Sequence, residues 1–210
     1  LMLQHRGQDA AGMVVCEPSG KLNSRKSKGY VRDVFQQNHM SNLQGNFGIG
    51  HVRYPTAGGI GKEFAQPMYV NTPYGISLAH NGNLTNSKKL AAELFHAERR
   101  HINTDSDSEV LLNIFALELS KQEAVFPKPK DFFAAVEKTH LRINGAYAVV
   151  ALITGYGIVA FRDPLGIRPL TIGVRKGKNR NEYVVSSETA LFSATGFKVL
   201  RDVEPGEAVF

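Results

Sequence analysis

The segment ISLAHNGNLTNSKKLAAELFHAERR, residues 76–100, changes its hydrophobic period midway, and the fold class turns on that change. Residues 76–80 alternate as in a half-buried strand, whereas residues 86–100 return their apolar side chains at helical spacing. Between the two stands Asn81-Gly82, a pair that tolerates positive φ and marks a hairpin turn after an alternating run. The same pair offers a side-chain amide and a glycine N–H, which are the donors a developing oxyanion needs.

Outward from this switch, AAGMVVC (residues 10–16) and NFGIGHVRY (46–54) read as strands. DSEVLLNIFALELSK (107–121) and residues 131–142 carry the helical period. AYAVVALITGYGIVAFRD (146–163) reads as a hairpin, with further strands near residues 170–174 and 183–185. The basic stretches SRKSKG and RKGKNRNE read as solvated turns. Strands thus flank a central block of helices, an order that argues for an α+β layered domain rather than a doubly wound sheet. With no internal repeat or linker, residues 1–210 are expected to form one domain.

Composition narrows the function classes. The 210 residues are 42% hydrophobic, enough to bury one sizeable core. The net charge of +6 invites a nucleic-acid partner, but the basic residues show no aromatic interleaving for base stacking, so none is expected. No run approaches a membrane span and the opening LMLQHRGQDAAG lacks signal-peptide regions, so a cytoplasmic protein without membrane contact is expected. One cysteine, Cys16, excludes an internal disulfide framework; ending an apolar strand, it reads as an inert buried thiol.

Several motifs fail on inspection. There is no G-x-S-x-G, and GGIGKE places Glu63 where a phosphate-binding loop needs Ser or Thr. TDSDSE resembles a calcium loop, but Val110 stands where that loop needs glycine. Ser106 and Glu109 have capping-box spacing at the head of an apolar helix instead.

Four polar clusters remain: QHRGQDAAG (4–12), GHVRYPTAGG (50–59), AHNGNL (79–84) and NTDSDSE (103–109). Singly, His5, His51 and His80 suit core or turn histidines, Arg53 a surface ion pair and Asp107 a helix cap. Jointly they offer a guanidinium, a carboxylate and oxyanion donors, a set that would grip an α-amino acid and face its side-chain carbonyl.

These clusters, with FRDPLGIRPL (161–170), SSETA (186–190) and DVEPGE (202–207), resemble nearly end to end the class II glutaminase domain of the amidophosphoribosyltransferase family. The resemblance implies an αββα sandwich of the N-terminal nucleophile hydrolase type, with two antiparallel sheets between helical layers. In that chemistry an amino-terminal cysteine attacks the glutamine carboxamide, ammonia leaves, and the thioester is hydrolysed to glutamate. An α-amino group, with a pKa of about 7.7 to 8.0, can serve as that cysteine's base.

By motif position, Arg53 would hold the glutamine α-carboxylate and Asp107 its α-ammonium, while the Asn81 side chain and the Gly82 N–H would form the oxyanion hole. Thr56 and Arg6 would line or order the site. No cofactor or metal is implied within this domain; magnesium belongs with the family's phosphoribosyltransferase domain, and the full-length enzyme is expected to be a homo-oligomer. The family pattern begins with a strand headed by Cys-Gly-Ile ahead of LQHRG and continues past DVEPGE into that second domain. Residues 1–210 are therefore expected to be a glutaminase domain truncated at both ends and inactive alone. The function expected of the whole enzyme is to hydrolyse glutamine and make 5-phosphoribosylamine from phosphoribosyl pyrophosphate, in the first step of de novo purine biosynthesis. The alternative is a non-catalytic glutamine-binding or regulatory module that has lost the cysteine.

Overall fold

The structure, a computed structural model, describes residues 1–54, 61–122 and 124–210; Thr56 therefore lies outside the described residues. Three antiparallel sheets organise it. In the first, β1 (Ala10–Cys16) is central, flanked by β2 (Leu22–Lys28) and β3 (Phe47–Arg53). The largest runs β11 (Ala208–Val209), β7 (Gly157–Arg162), β6 (Gly145–Ile153), β5 (Ile76–Leu84), β4 (Met68–Val70). In the third, β8 (Thr171–Lys176) lies between β9 (Asn181–Ser186) and β10 (Lys198–Asp202).

Helices α3 (Ser87–His96), α4 (Asp107–Ser120) and α5 (Pro129–Arg142) cover one face of the five-stranded sheet. Every residue of α4 from Val110 to Leu119 is buried, as expected of a helix apolar all round. It packs on β4 and β5 with α3 and α5 on its flanks, so Leu111, Ile114 and Phe115 meet Ile76, Leu78 and Val149. Fully burying each such side chain contributes about 1.5–3 kcal/mol.

The opposite face of the five-stranded sheet packs on the two smaller sheets side by side. Ala79 and Leu152 meet Val14, Cys16 and Ile49 of the first, while Ala148 and Ala160 meet Leu170 and Ile172 of the third. Outside these lie short helices: α1 (Val31–Val34) against β1 and β2, then α2 (Gln37–Asn42), and α6 (Ala190–Thr195) beside β10. The layering is that of an α+β sandwich. Strands β3 and β9 are edges of their sheets among the described residues, and they face one another across an apolar cleft of about 710 Å³.

Two expectations are corrected. SRKSKG is not a loop: residues 24–28 lie in β2, each paired with β1 on an edge of the sheet, and Gly29 alone falls past the strand. Nor is Asn81-Gly82 a turn, because β5 runs unbroken to Leu84 and pairs with β6 throughout. Long-range pairing with β6 overrides a local turn signal.

Candidate functional site

A cavity of about 360 Å³ opens where the ends of β3, β5 and β9 meet the N-terminus of α4. Arg6, Arg53, Asn81, Gly82 and Asp107 all line it, so the structure brings together five of the six residues singled out from sequence. The sixth, Thr56, is the one outside the described residues.

Arg53 closes β3 and is buried. Asp9 holds it twice, its carboxylate accepting from the Arg53 Nη1 and its own N–H donating to the Arg53 carbonyl at 3.0 Å. The Phe64 ring lies 5.2 Å from the guanidinium carbon. These contacts aim the guanidinium plane, and they explain much of QHRGQDAAG. The turn at Gln4–Arg6 crosses β3 so closely that a Cβ on Gly7 would stand 2.5 Å from the Arg53 carbonyl carbon. Arg6 is in turn paired with Glu188 of SSETA, whose carboxyl that bond holds below the usual range.

Asn81 and Gly82 sit opposite Ala148 and Tyr147 of β6. A Cβ on Gly82 would approach the Ala146 carbonyl oxygen to 2.0 Å, at a φ of +158°, so close backbone approach alone demands glycine here. Side chains alternate along β5: Ile76, Leu78 and Leu84 enter the helix-side core, whereas Ala79 enters the sheet-side core. By the same alternation Asn81 shares the face of Ala79, and His80 turns toward α4.

Asp107 is the first residue of α4, capped by Ser106, whose hydroxyl accepts from the Ser108 N–H at 3.3 Å. Its Oδ2 accepts from the Leu84 N–H at 2.9 Å, tying helix to strand. The expected capping box does not close. Glu109 instead accepts from the N–H groups of Asn103 and Thr104, each at 2.8 Å, and so folds the preceding loop onto the helix.

Behind β5 lies a buried polar cluster. The Gln66 Oε1 accepts from the His80 N–H at 2.7 Å, the Gln66 Nε2 donates to the Ser108 hydroxyl at 3.0 Å, and that hydroxyl is 3.0 Å from the His80 Nδ1. Burial pushes the His80 pKa below its ordinary value, against the pull of Asp107. His51 is pushed down to about 4, first by burial and then by the neighbouring His80 ring. Both imidazoles are therefore neutral at pH 7.

FRDPLGIRPL forms a braced loop at the cavity's edge. Burial alone would raise the Asp163 pKa, but the N–H groups of Ile167, Arg168, Tyr147 and Leu165 hold it below the usual range. The Arg162 guanidinium donates to the carbonyls of Gly166, Arg168 and Val203. The loop sets Arg168 beside the cavity with a buried Nε that has no partner among the described residues. Cys16 is buried between sheets and does not line the cavity.

Sequence reasoning missed the parts played by Asp9, Gln66, Ser108 and Arg168. Asp9 and Ser108 fall inside the quoted clusters, and Arg168 inside FRDPLGIRPL, but their partners are remote along the chain. Gln66 gives no local signal at all.

The model of the glutamine amidotransferase domain family matches residues 60–194. The chain is 57% identical to the amidophosphoribosyltransferase of Pseudomonas aeruginosa, covering 100% of this chain and 42% of that protein. The Escherichia coli (strain K12) amidophosphoribosyltransferase is 56% identical over 100% of this chain and 42% of its own length. The solved glutamine phosphoribosylpyrophosphate amidotransferase from B. subtilis, complexed with ADP and GMP, superposes with a TM-score of 0.80 at 36% identity, over 99% of this chain and 42% of that one. Residues 1–210 thus span about 42% of the length of these relatives, with the sandwich layering of an N-terminal nucleophile hydrolase. A family model that takes in Asn81, Gly82 and Asp107, over a fold that gathers them with Arg53, leaves one conclusion: the chain belongs to the glutamine amidotransferase domain family.

Proposed function

We propose that this chain is the glutamine-binding and glutamine-hydrolysing part of an amidophosphoribosyltransferase. The observation that carries the proposal is a single cavity uniting Arg53, Asp107 and the Asn81-Gly82 pair. Arg53, its plane set by Asp9, is assigned the α-carboxylate of glutamine. Asp107 is assigned the α-ammonium. The Asn81 amide and the Gly82 N–H then meet the carboxamide oxygen as it gains charge. Arg6 and Thr56 are assigned to the ordering of the site.

The nucleophile is a cysteine on a segment outside residues 1–210, because the buried Cys16 does not reach the cavity. The cleft between β3 and β9 suits a strand that brings it. Both edges line the cleft, and Gly50, His51, Val52 and Ser186 border cleft and cavity alike. The thiolate adds to the carboxamide carbon, ammonia departs with a proton from the α-amino base, and water then cleaves the thioester to glutamate and the free thiol. The ammonia is passed to phosphoribosyl pyrophosphate on the phosphoribosyltransferase part, yielding 5-phosphoribosylamine in the opening step of purine synthesis. Magnesium is assigned to the pyrophosphate there; no group of three or more His, Cys, Asp or Glu side chains gathers as a metal cage among the described residues. The cytoplasm and a homo-oligomeric full-length enzyme complete the proposal. No described helix is long and apolar enough to cross a membrane.

The test is a full-length chain with its amino-terminal cysteine exposed. It should release ammonia and glutamate in equal amounts from glutamine, and form phosphoribosylamine when phosphoribosyl pyrophosphate and magnesium are added. A folded, pure chain that binds glutamine but releases no ammonia overturns the hydrolytic reading and returns the domain to a binding module.

A further inference from the structure

The Gln66, His80 and Ser108 cluster forms the wall of the cavity between β5 and α4, and the proposed chemistry assigns it no part. All three residues are buried, Ser108 at 2% exposure and His80 at 3%. Burying that many polar groups is unfavourable unless each is paired, so the cluster calls for a purpose beyond filling space. Its connections supply one. Ser108 follows Asp107 on α4, and its hydroxyl touches the Gln66 amide, the His80 ring and, at 3.4 Å, the Asp107 Oδ1. His80 precedes Asn81 on β5, and the His80 main-chain N–H is held by Gln66. The His80 Nε2 stands 2.7 Å from the place a Gly82 Cβ would take. Helix and strand are joined a second time where Leu84 donates to Asp107.

These links bind the group assigned to the ammonium, on α4, to the group assigned to the carboxamide, on β5. The distance between those two groups is what an amino-acid side chain must span. We infer that Gln66, His80 and Ser108 form a spacing gauge, positioning Asp107 against Asn81-Gly82 so that the site accepts the side-chain length of glutamine and rejects that of asparagine, one methylene shorter. This rests on the assignment of Asp107 and Asn81-Gly82 made above. None of the three is a catalytic residue; each acts through the strand or helix it holds. A site that recognises both ends of its substrate discriminates by length only while the two grips stay a fixed distance apart, and one methylene commonly separates substrates by about 10- to 200-fold.

The experiment uses the full-length chain with its cysteine, and compares the parent with Ser108→Ala, His80→Gln and the double variant. Ammonia release from L-glutamine and from L-asparagine is followed at high enzyme concentration to give kcat/KM for each, with the thermal midpoint measured alongside. Each single variant should lower kcat/KM for glutamine about tenfold or more while asparagine changes less than about threefold, so the selectivity ratio falls. The double variant should lose no more selectivity than the worse single, because both changes break one network. A merely structural role would lower the midpoint and slow both substrates in parallel, leaving the ratio fixed, and that outcome overturns the gauge. So does glutamine turnover unchanged in Ser108→Ala, which removes a single oxygen and disturbs packing least. A parent that releases no ammonia from glutamine refutes the function itself, whereas an active parent whose variants keep its selectivity refutes only the gauge.

Discussion

Replacing Asn81 by alanine separates a residue that only shapes its strand from an oxyanion donor more cleanly than any other single change. The Asn81 side chain lies on the sheet-side face of β5, partly buried, with no hydrogen bond among the described residues. Its backbone, by contrast, is fixed by pairing with Ala148. Truncation to Cβ leaves that pairing intact, so the stability change should stay within about 0.5 kcal/mol, the range of substitutions that disturb no cap, core or network. The kinetic effect should be far larger. A donor that meets charge only in the transition state is worth about 10²- to 10³-fold in kcat, or about 2.7–4 kcal/mol, with little change in KM. Steady-state ammonia release by the full-length chain gives kcat and KM, and a urea titration gives the midpoint. Near-parental kcat with a clearly lowered midpoint would mean that Asn81 shapes the strand and contributes no catalysis.

Arg53→Lys should raise KM for glutamine about tenfold or more with kcat less affected, because a point charge cannot reproduce a planar fork on a carboxylate; unchanged KM would remove Arg53 from the clamp. Stability should fall on acidification. The His51 pKa of about 4 lies below the ordinary imidazole value of 6.5, so between those pH values the unfolded chain binds more protons than the folded one. At most about 3 kcal/mol is lost over that window, none of it above pH 7, and His51→Gln should show a shallower loss in denaturant titrations from pH 7 to 4. Cys16→Ala should cost roughly 1 kcal/mol of stability and leave ammonia release by the full-length chain intact; loss of turnover at a preserved midpoint would reinstate Cys16 as a reactive thiol.

The helical block was legible from sequence because its signals are local. The apolar-rich run of α4 and the amphipathic spacing of α5 place those helices to within two residues, whereas α3 ends at His96, four residues short of the helical stretch read over 86–100. What escaped was set by partners distant in the chain. LNSRKSK carries no apolar alternation, and becomes β2 only because the β1 backbone offers it a ladder. Asn81-Gly82 carries the strongest local turn signal in the chain, yet β6 takes both residues into the sheet. In the site, the residues that would touch glutamine were visible as clustered polar motifs, whereas the residues that aim them were not. Asp9 lies 44 positions from Arg53, and Gln66 lies 42 from Ser108. Charge and polarity nominate candidates; only the fold says which of them hold the others in place.

The alternation along β5 also constrains how this stretch can change over time. Odd positions look toward the two smaller sheets and even positions toward α4, so one inserted or deleted residue upstream of His80 would exchange the two faces. The imidazole would swing toward the smaller sheets, the amide of Asn81 would be pressed against Ser108, and Gly82 would leave a place that a Cβ cannot occupy. Point substitutions along β5 can be graded in effect, but a change in its length cannot. The turn between β8 and β9, at residues 177–180, lies on an exposed rim with nothing comparable at stake, and should absorb insertions that β5 would never survive.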